Sequence, residues 1–209
     1  RNNSMEISII GETIHDAIGR PAIEVMPVPK VAGGCDDDGR AWTPIDYAPN
    51  FNQLDDGGTP APYTYAVISG EGDCGHAAPP MHDASGAERY YSEAYAEDTN
   101  TLFPAPSFLP KALGYPFAHT EYTRDNTGRV RQQGGVGEAF QLDGRPTRYY
   151  YGRPEQIQLD RLFGVEAGHA MHYQKNVVVD PNGQVSVSYV DMYGRTVATA
   201  LSCYDEEGS

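Results

Sequence analysis

Apolar and polar positions alternate most clearly in residues 176–201. An apolar run at 177–179 is followed by strict alternation of apolar residues with serine at 185–189, and a further run extends from 195 to 201. Alternation with a period of two is typical of a strand with one buried face. Two Asp-x-x-Gly sequences, which begin at Asp180 and Asp191, separate the three runs. The pattern therefore predicts a meander of three antiparallel strands, each about seven residues long.

Weaker patterns predict further strands and one convincing helix. Residues 5–10 and 63–69 have strand composition, and the alternation at 23–25 leads into prolines at 27 and 29, which mark an edge or an end of the strand. Residues 154–163 predict a helix with Pro154 at its first position and Gly164 at its end. Residues 88–98 are a second helix candidate that lacks an apolar stripe.

The fold class that follows is mostly β, with antiparallel hairpins and meanders, long ordered loops and one short helix. Three segments are expected along the chain. Residues 1–30 predict a hairpin, residues 31–115 form a loop-rich segment of Gly, Asp, Pro and Tyr, and residues 116–209 contain the meander and the helix near 154–163.

Aspartate followed three residues later by glycine recurs along the chain. It occurs at eight of sixteen aspartates, against about two expected from the 23 glycines. At the first position of a type I turn, Asp accepts hydrogen bonds from backbone amides ahead of it, and Gly at the fourth position adopts positive φ without a steric penalty. The turn residues to which we assign this structural role are Asp16, Gly19, Arg20, Asp125, Gly128, Arg129, Asp180, Gly183, Asp191, Gly194 and Arg195.

Three of these turns resemble a known repeat. The segments HDAIGRPAIEVMP, EYTRDNTGRV and YVDMYGRTVATAL are similar to YD repeats, in which Tyr-Asp-x-x-Gly-Arg precedes a strand. Such repeats build the Rhs (rearrangement hot spot) proteins, Tc-toxin shell components and teneurin-like surface proteins. The resemblance covers residues 115–201 well and residues 1–29 as a degenerate copy, and it is to large Rhs-like proteins of Bacteroidetes-type bacteria. The chain departs from the pattern because no Tyr precedes the Asp, and Gln184 follows Gly183 in place of Arg.

The resemblance implies a structural role in a β-sheet shell. In this family, long β-ribbons spiral into a hollow cocoon that encloses a toxin or presents surface modules of a bacterial protein that is secreted or on the cell surface. The partners implied are the remainder of the parent chain or neighbouring repeats. A chain that begins at Arg1 rather than Met fits a piece of such a protein. The self-cleaving segment of the relatives is not visible, so no catalytic residue is carried over and we expect no enzyme.

Composition and charge narrow the range of partners. Twenty-nine acidic and fifteen basic residues give a net charge of −14, which opposes binding to nucleic acid. No run approaches the ~18 apolar residues of a membrane span, so none is expected. Hydrophobic residues make up 39% of the chain, yet 15 tyrosines distinguish it from a disordered sequence.

Three groups of residues are candidates for metal binding or cross-linking. Asp36, Asp37 and Asp38 lie in an acidic loop that could hold Ca²⁺, although Tyr47 occupies the position of the EF-hand glutamate, and solvated turns are the alternative. No other cofactor is indicated. His169 and His172 have a spacing that suits a metal, with packing or surface histidines as the alternative.

The cysteines leave two possibilities open. Cys35 and Cys74 lie in Gly/Asp-rich loops and could form a disulfide, which would imply an oxidising compartment, with Cys203 left over. The alternative is three unpaired thiols.

Tyrosine clusters support a second functional hypothesis. Tyrosines group at 90, 91 and 95 and again at 149–151. Exposed aromatic rings stack on sugars, so an extracellular β-rich module that binds a glycan or a protein, with or without Ca²⁺, is the alternative to a shell segment. Cross-strand pairing inside a sheet explains the same clusters. Self-assembly is open under both hypotheses.

Overall fold

The computed structural model of the chain describes residues 7–31, 34–35, 41–42, 45–48, 50–55, 60–69, 78–92 and 109–202. The chain divides into two compact units. The first comprises residues 1–120 and 134–144, and the second comprises residues 121–133 and 145–209. Antiparallel strands dominate the regular structure of both units, which confirms the predicted mostly β fold class.

The first unit is built on a long antiparallel hairpin. β1 (Ile7–His15) pairs with β2 (Pro21–Val31) along its length. The other edge of β2 pairs with β8 (Phe117–Tyr122, the last two residues of which belong to the second unit) and with β5 (Ile45–Asp46). The remaining strands form two small pairs, β3 (Gly34–Cys35) with β4 (Ala41–Trp42) and β6 (Gln53–Asp55) with β7 (Pro60–Pro62).

Both strands of this hairpin are longer than the sequence pattern predicted. β1 continues beyond residue 10, and β2 continues through Pro27 and Pro29, where an edge or an end of the strand was expected. The ladder shifts register between Ile10 and Glu12, and a Cβ on the intervening Gly11 would lie 3.7 Å from the Cβ of Pro27. A bulge already interrupts the ladder at this point, so a proline opposite it costs no ladder hydrogen bond.

The described residues of the first unit also form two short α-helices. α1 (Tyr65–Ser69) lies where we predicted a strand, so that prediction is wrong. Its single turn places Ile68 in the core at 1% exposure, and burying one isoleucine, at about 2 kcal/mol, outweighs the strand propensity of the segment. α2 (Gly86–Tyr90) begins two residues before the predicted helix at 88–98 and has Tyr91 as its C-cap, and residues 93–98 of that prediction lie outside the described residues.

The core of the first unit joins segments that are far apart in sequence. Phe117 of β8 packs on Tyr63, with ring centroids 5.4 Å apart, and both are fully buried. Ile23 and Val28 of β2 lie in the same cluster. The hydroxyl groups of its tyrosines are not left unpaired, since Tyr91 donates to the carbonyl of Pro27 at 2.6 Å and Tyr63 donates to that of Pro79.

The second unit is an antiparallel meander with one helix. β9 (Val130–Gly134), which ends in the first unit, pairs with β10 (Thr147–Gly152), and β10 pairs with β11 (Tyr173–Val179). β12 (Val185–Asp191) and β13 (Thr196–Ser202) follow in order. The last three strands have seven residues each, as predicted.

The predicted helix exists, and its first turn differs from the prediction. α3 (Gln156–Phe163) begins after Pro154, which lies before the N-cap residue Glu155. The side chains of Glu155 and Gln158 form a reciprocal capping box, which supplies the hydrogen bonds that fix the start. The helix ends at Gly164, whose φ of 69° explains why glycine is the stop.

α3 covers part of one face of the meander. Leu159 is fully buried and packs in a small cluster with Tyr189 of β12. Three 3₁₀ turns complete the regular structure, at Glu138–Phe140 in the first unit and at Gly164–Ala167 and Ala170–His172 in the second. Among the helices of the described residues, none has the length and apolar character required to cross a membrane.

Candidate functional site

Three of the Asp-x-x-Gly turns have the same geometry. In the turns that begin at Asp16, Asp180 and Asp191, the glycine N–H donates to the aspartate carbonyl at 3.0 Å. The glycines have φ values of 85°, 83° and 79° in chain order. Each carboxylate accepts the backbone N–H groups two and four residues ahead at 2.8–3.1 Å. In each of these turns the aspartate side chain therefore accepts hydrogen bonds from backbone amides of its own turn.

In two of these turns the side chain of an arginine also donates a hydrogen bond to the aspartate carboxylate. Arg20 Nε donates to Asp16 Oδ2 at 2.7 Å, and Arg195 Nε donates to Asp191 Oδ2 at 2.8 Å. Burial alone would raise the pKa of Asp16, but the hydrogen bonds from Arg20 and from the Ile18 amide hold it below its ordinary value. The backbone hydrogen bond from Arg195 likewise lowers the pKa of Asp191.

The turn at Asp125 is built differently. Its carboxylate accepts from the hydroxyl groups of Thr123 at 2.6 Å and Thr127 at 2.7 Å, and from Arg129 Nη2 at 2.8 Å. The Thr123 hydroxyl is the largest cause of a pKa well below the ordinary range of Asp125. Gly128 has a φ of 73°. The aspartate carboxylate again accepts the hydrogen bonds of the turn, although threonine hydroxyls replace some of the backbone N–H donors.

The tyrosine triplet at 149–151 does not form one aromatic platform. Successive residues of β10 face opposite sides of the sheet, and Tyr150 lies on the side opposite to the other two, at 54% exposure. Tyr151 carries the Arg129 guanidinium 4.9 Å from its ring centroid and donates to the Val130 carbonyl at 3.0 Å. These contacts are cross-strand and turn packing.

The earlier tyrosine cluster is also packed internally. Tyr90 contacts Tyr91 and Tyr47 edge to face, with centroid separations of 4.9 Å and 5.2 Å. Tyr91 is buried. Tyr95 lies outside the described residues.

The last strand of the second unit is the most open β element. Six of the seven residues of β13 are exposed, including Leu201 at 72% and Val197 at 39%. Its sequence contains neither a charged residue nor a proline. Natural proteins use such residues to protect the edge of a sheet, and β13 lacks both of these protections.

A buried carboxyl group in the first unit was missed by the sequence analysis. Glu88 of α2 is 5% exposed, and its Oε1 accepts the backbone N–H of Gly114 at 3.0 Å. Its Oε2 is buried and has no hydrogen-bond partner among the described residues. Burial, the largest effect, raises its pKa to about 7. The signal that could have located it is Ser85-x-x-Glu88, the sequence of a capping box.

The box is only half formed, because the glutamate is directed elsewhere. Ser85 Oγ accepts the Glu88 N–H at 3.4 Å, as a capping residue does. The Glu88 carboxyl group bonds to Gly114 instead of reaching back to the Ser85 N–H, which donates to the carbonyl of His82 at 2.8 Å. Sequence spacing alone gives no sign of this long-range contact.

The histidine pair has a local structural use. His169 Nδ1 accepts the N–H of Met171 at 3.2 Å, and the two imidazole centroids are 6.5 Å apart. A neutral ring whose Nδ1 accepts a hydrogen bond carries its proton on Nε2, so neither nitrogen of His169 is open to a metal in this arrangement. No group of three or more metal-ligating side chains occurs in the part of the chain that the structure describes.

Several predicted site residues lie outside the described part of the chain. Asp36, Asp37 and Asp38 are among them, as are Cys74 and Cys203. Cys35 is described only as a backbone position of β3. The calcium and disulfide hypotheses therefore stay predictions.

No family model matches the chain, and no curated protein matches it.

Proposed function

We propose that the chain is a structural segment of a large secreted or cell-surface bacterial repeat protein of the Rhs/YD type, in which it forms part of a β-sheet shell and performs no catalysis. The observation that carries the proposal is the open end of the meander. β13 exposes six of its seven residues and has no charge or proline to protect its edge. A strand of this kind is stable when a neighbouring repeat pairs with it.

The turns support the same proposal. The connections at Asp16, Asp180 and Asp191 are closed by their own carboxylates and backbone, so they depend on few distant contacts. A hairpin joined in this way can be added repeatedly along a sheet. Such repetition is the principle by which repeat proteins extend, with each unit in contact mainly with its neighbours.

The first experiment measures the length of the native polypeptide by denaturing gel and peptide mapping in the source organism. Peptides from this sequence should occur in a chain several times larger than 22.8 kDa. A native chain of about 22.8 kDa would overturn the shell proposal.

A pair of variants tests the edge itself. Leu201→Lys adds a charge to β13, whereas Met192→Lys adds the same charge at an exposed turn position outside the strands. We expect Leu201→Lys to impair assembly of the full-length protein, measured by sedimentation and electron microscopy, and Met192→Lys to leave it unchanged. Equal behaviour of the two variants would contradict a role for β13.

An extracellular binding module is the second candidate. It is favoured by the exposed ring of Tyr150, which lies beside Val177 on the neighbouring strand. Saturation-transfer NMR with neutral and acidic oligosaccharides tests it, with and without Ca²⁺. Signals that disappear in Tyr150→Ala and persist in Tyr149→Ala would support this module, and the absence of any signal would exclude glycan binding at this face.

A further inference from the structure

Glu88 connects two segments of the first unit that are 26 residues apart. On one side it belongs to α2, whose start is fixed by Ser85. On the other side it accepts the N–H of Gly114. The Glu88 side chain is buried, and within the part of the chain that the structure describes its second carboxyl oxygen has no hydrogen-bond partner. A buried ionised carboxylate with an unpaired oxygen is costly, whereas the neutral acid is tolerated far better.

Gly114 lies in a closely packed turn. It has a φ of 89°, and a Cβ at this position would lie 2.6 Å from the Cβ of Pro80. Its carbonyl accepts the N–H of Met81 at 2.8 Å. The adjoining Ala112 is fully buried and donates its N–H to the carbonyl of Tyr91 at 2.8 Å. A movement of Gly114 would therefore disturb both the segment before β8 and the segment before α2.

We propose that the stability of the first unit depends on the protonation of Glu88: the buried carboxyl group is tolerated when it is neutral, whereas ionisation leaves a desolvated negative charge that the hydrogen bond from the Gly114 N–H offsets only in part. The first unit is therefore more stable in mildly acidic surroundings than in mildly alkaline ones. This pH dependence does not depend on the shell proposal, because it involves only residues within the first unit.

Two neighbouring groups act on the pKa of Glu88 in opposite directions. The hydrogen bond from Gly114 opposes burial and lowers the pKa of Glu88, whereas the charge of Asp83, in the turn before α2, adds to the effect of burial and raises that pKa. β2, which packs against α2, contributes apolar residues to the core, and its charged side chains are exposed. The other titratable residues on the packed elements are His82, Arg89, Tyr90, Tyr91, Lys111, Tyr115, Glu24 and Lys30.

The sign of the pH dependence follows from the raised pKa of Glu88. Its ordinary value is 4.5, and burial raises it to about 7 in the folded chain. A group whose pKa is raised by folding favours the folded state below its unfolded value, and that contribution is lost as the pH rises through the folded value. Between these two values, the equilibrium constant for unfolding should increase about tenfold for each pH unit.

The test compares urea unfolding of the full chain with that of Glu88→Gln from pH 5 to pH 8. The single tryptophan, at position 42, belongs to the first unit, so its fluorescence reports on that unit. We expect the wild-type midpoint to fall as the pH rises and the Gln variant to lose this slope. Glu24→Gln, at an exposed position of β2, is the matched control and should keep the wild-type slope.

A direct titration keeps the test independent of how well the variant folds. Carbon-13 NMR of the carboxyl groups in the wild-type chain should show one glutamate that titrates near pH 7 and is absent from the Gln variant. A Glu88 resonance that titrates at an ordinary glutamate value would overturn the proposal. Parallel unfolding slopes in the wild-type and Glu88→Gln chains would overturn it as well.

Discussion

The two units are stabilised in different ways. Among the described residues, the first unit has a cluster of twelve buried residues contributed by β2, β8, both short helices and the segments between them. The cluster of the second unit has four. Its last three strands are joined by turns that close on Asp180 and Asp191, as β1 and β2 of the first unit are joined at Asp16. One unit thus depends on contacts between distant segments, and the other depends on local hairpins and an incomplete core.

The two units also differ in net charge. The first unit contains nineteen acidic and six basic residues, a net charge of −13, whereas the second contains ten and nine, a net charge of −1. Nearly all of the negative charge of the chain is therefore on the unit with the larger core. Self-repulsion destabilises a compact state, and a larger core can offset that cost.

The largest expected effect comes from the core of the first unit. Phe117→Ala removes a fully buried ring that packs on Tyr63, and we expect a loss of about 3–5 kcal/mol in the free energy of unfolding. Tyr150→Ala, an aromatic truncation at an exposed site of the second unit, should cost about 0.5 kcal/mol or less. Urea unfolding of both variants measures the difference, and similar losses would contradict the contrast between the units.

An intermediate effect is expected at two turns that have the same hydrogen bonds and different surroundings. Asp16 is 8% exposed, and Asp16→Ala should cost about 1–3 kcal/mol because it removes the part-buried hydrogen bonds that this carboxylate accepts from Ile18 and Arg20. Asp191→Ala should cost less, because the side chain of Arg195 is 73% exposed and water replaces the lost bonds. Thermal unfolding of each variant tests the order, and a larger loss for Asp191→Ala would contradict it.

The same aspartates determine the acid side of the stability profile. Their pKa values are lowered on folding, so their contribution is present above the ordinary value of 3.8 and is lost as the pH falls through the folded value. Glu88 acts with the opposite sign at higher pH. The two effects together place the highest stability of the chain in mildly acidic solution, between the two ranges.

Local patterns could be predicted from the sequence, and long-range contacts could not. The three-stranded meander follows from alternation and turn residues within 26 positions, so its strand lengths were predicted. α1 was predicted as a strand because its apolar residues have β propensity, and only burial of Ile68 among distant segments explains its helix. Glu88 was missed for the same reason, since its partner Gly114 lies 26 residues away.

The smallest expected effect separates backbone geometry from packing in the second unit. Gly194 has a φ of 79°, and an added Cβ would meet no atom within 4 Å. Gly152 of β10 is equally open, and its φ is not positive. Gly194→Ala should therefore cost about 1–2 kcal/mol through left-handed strain alone, whereas Gly152→Ala should be neutral or stabilise the strand by about 0.5 kcal/mol.

Chemical denaturation of the two glycine variants, with hydrogen exchange of the β12 and β13 amides as a local readout, measures this difference. Open space around both positions removes steric packing as a cause, so any difference belongs to the backbone. If Gly194→Ala is as stable as Gly152→Ala, the turn does not need its glycine. The β12–β13 hairpin would then be stabilised by the Asp191 hydrogen bonds and by strand pairing alone. The positive φ of Gly194 would make no contribution to its stability.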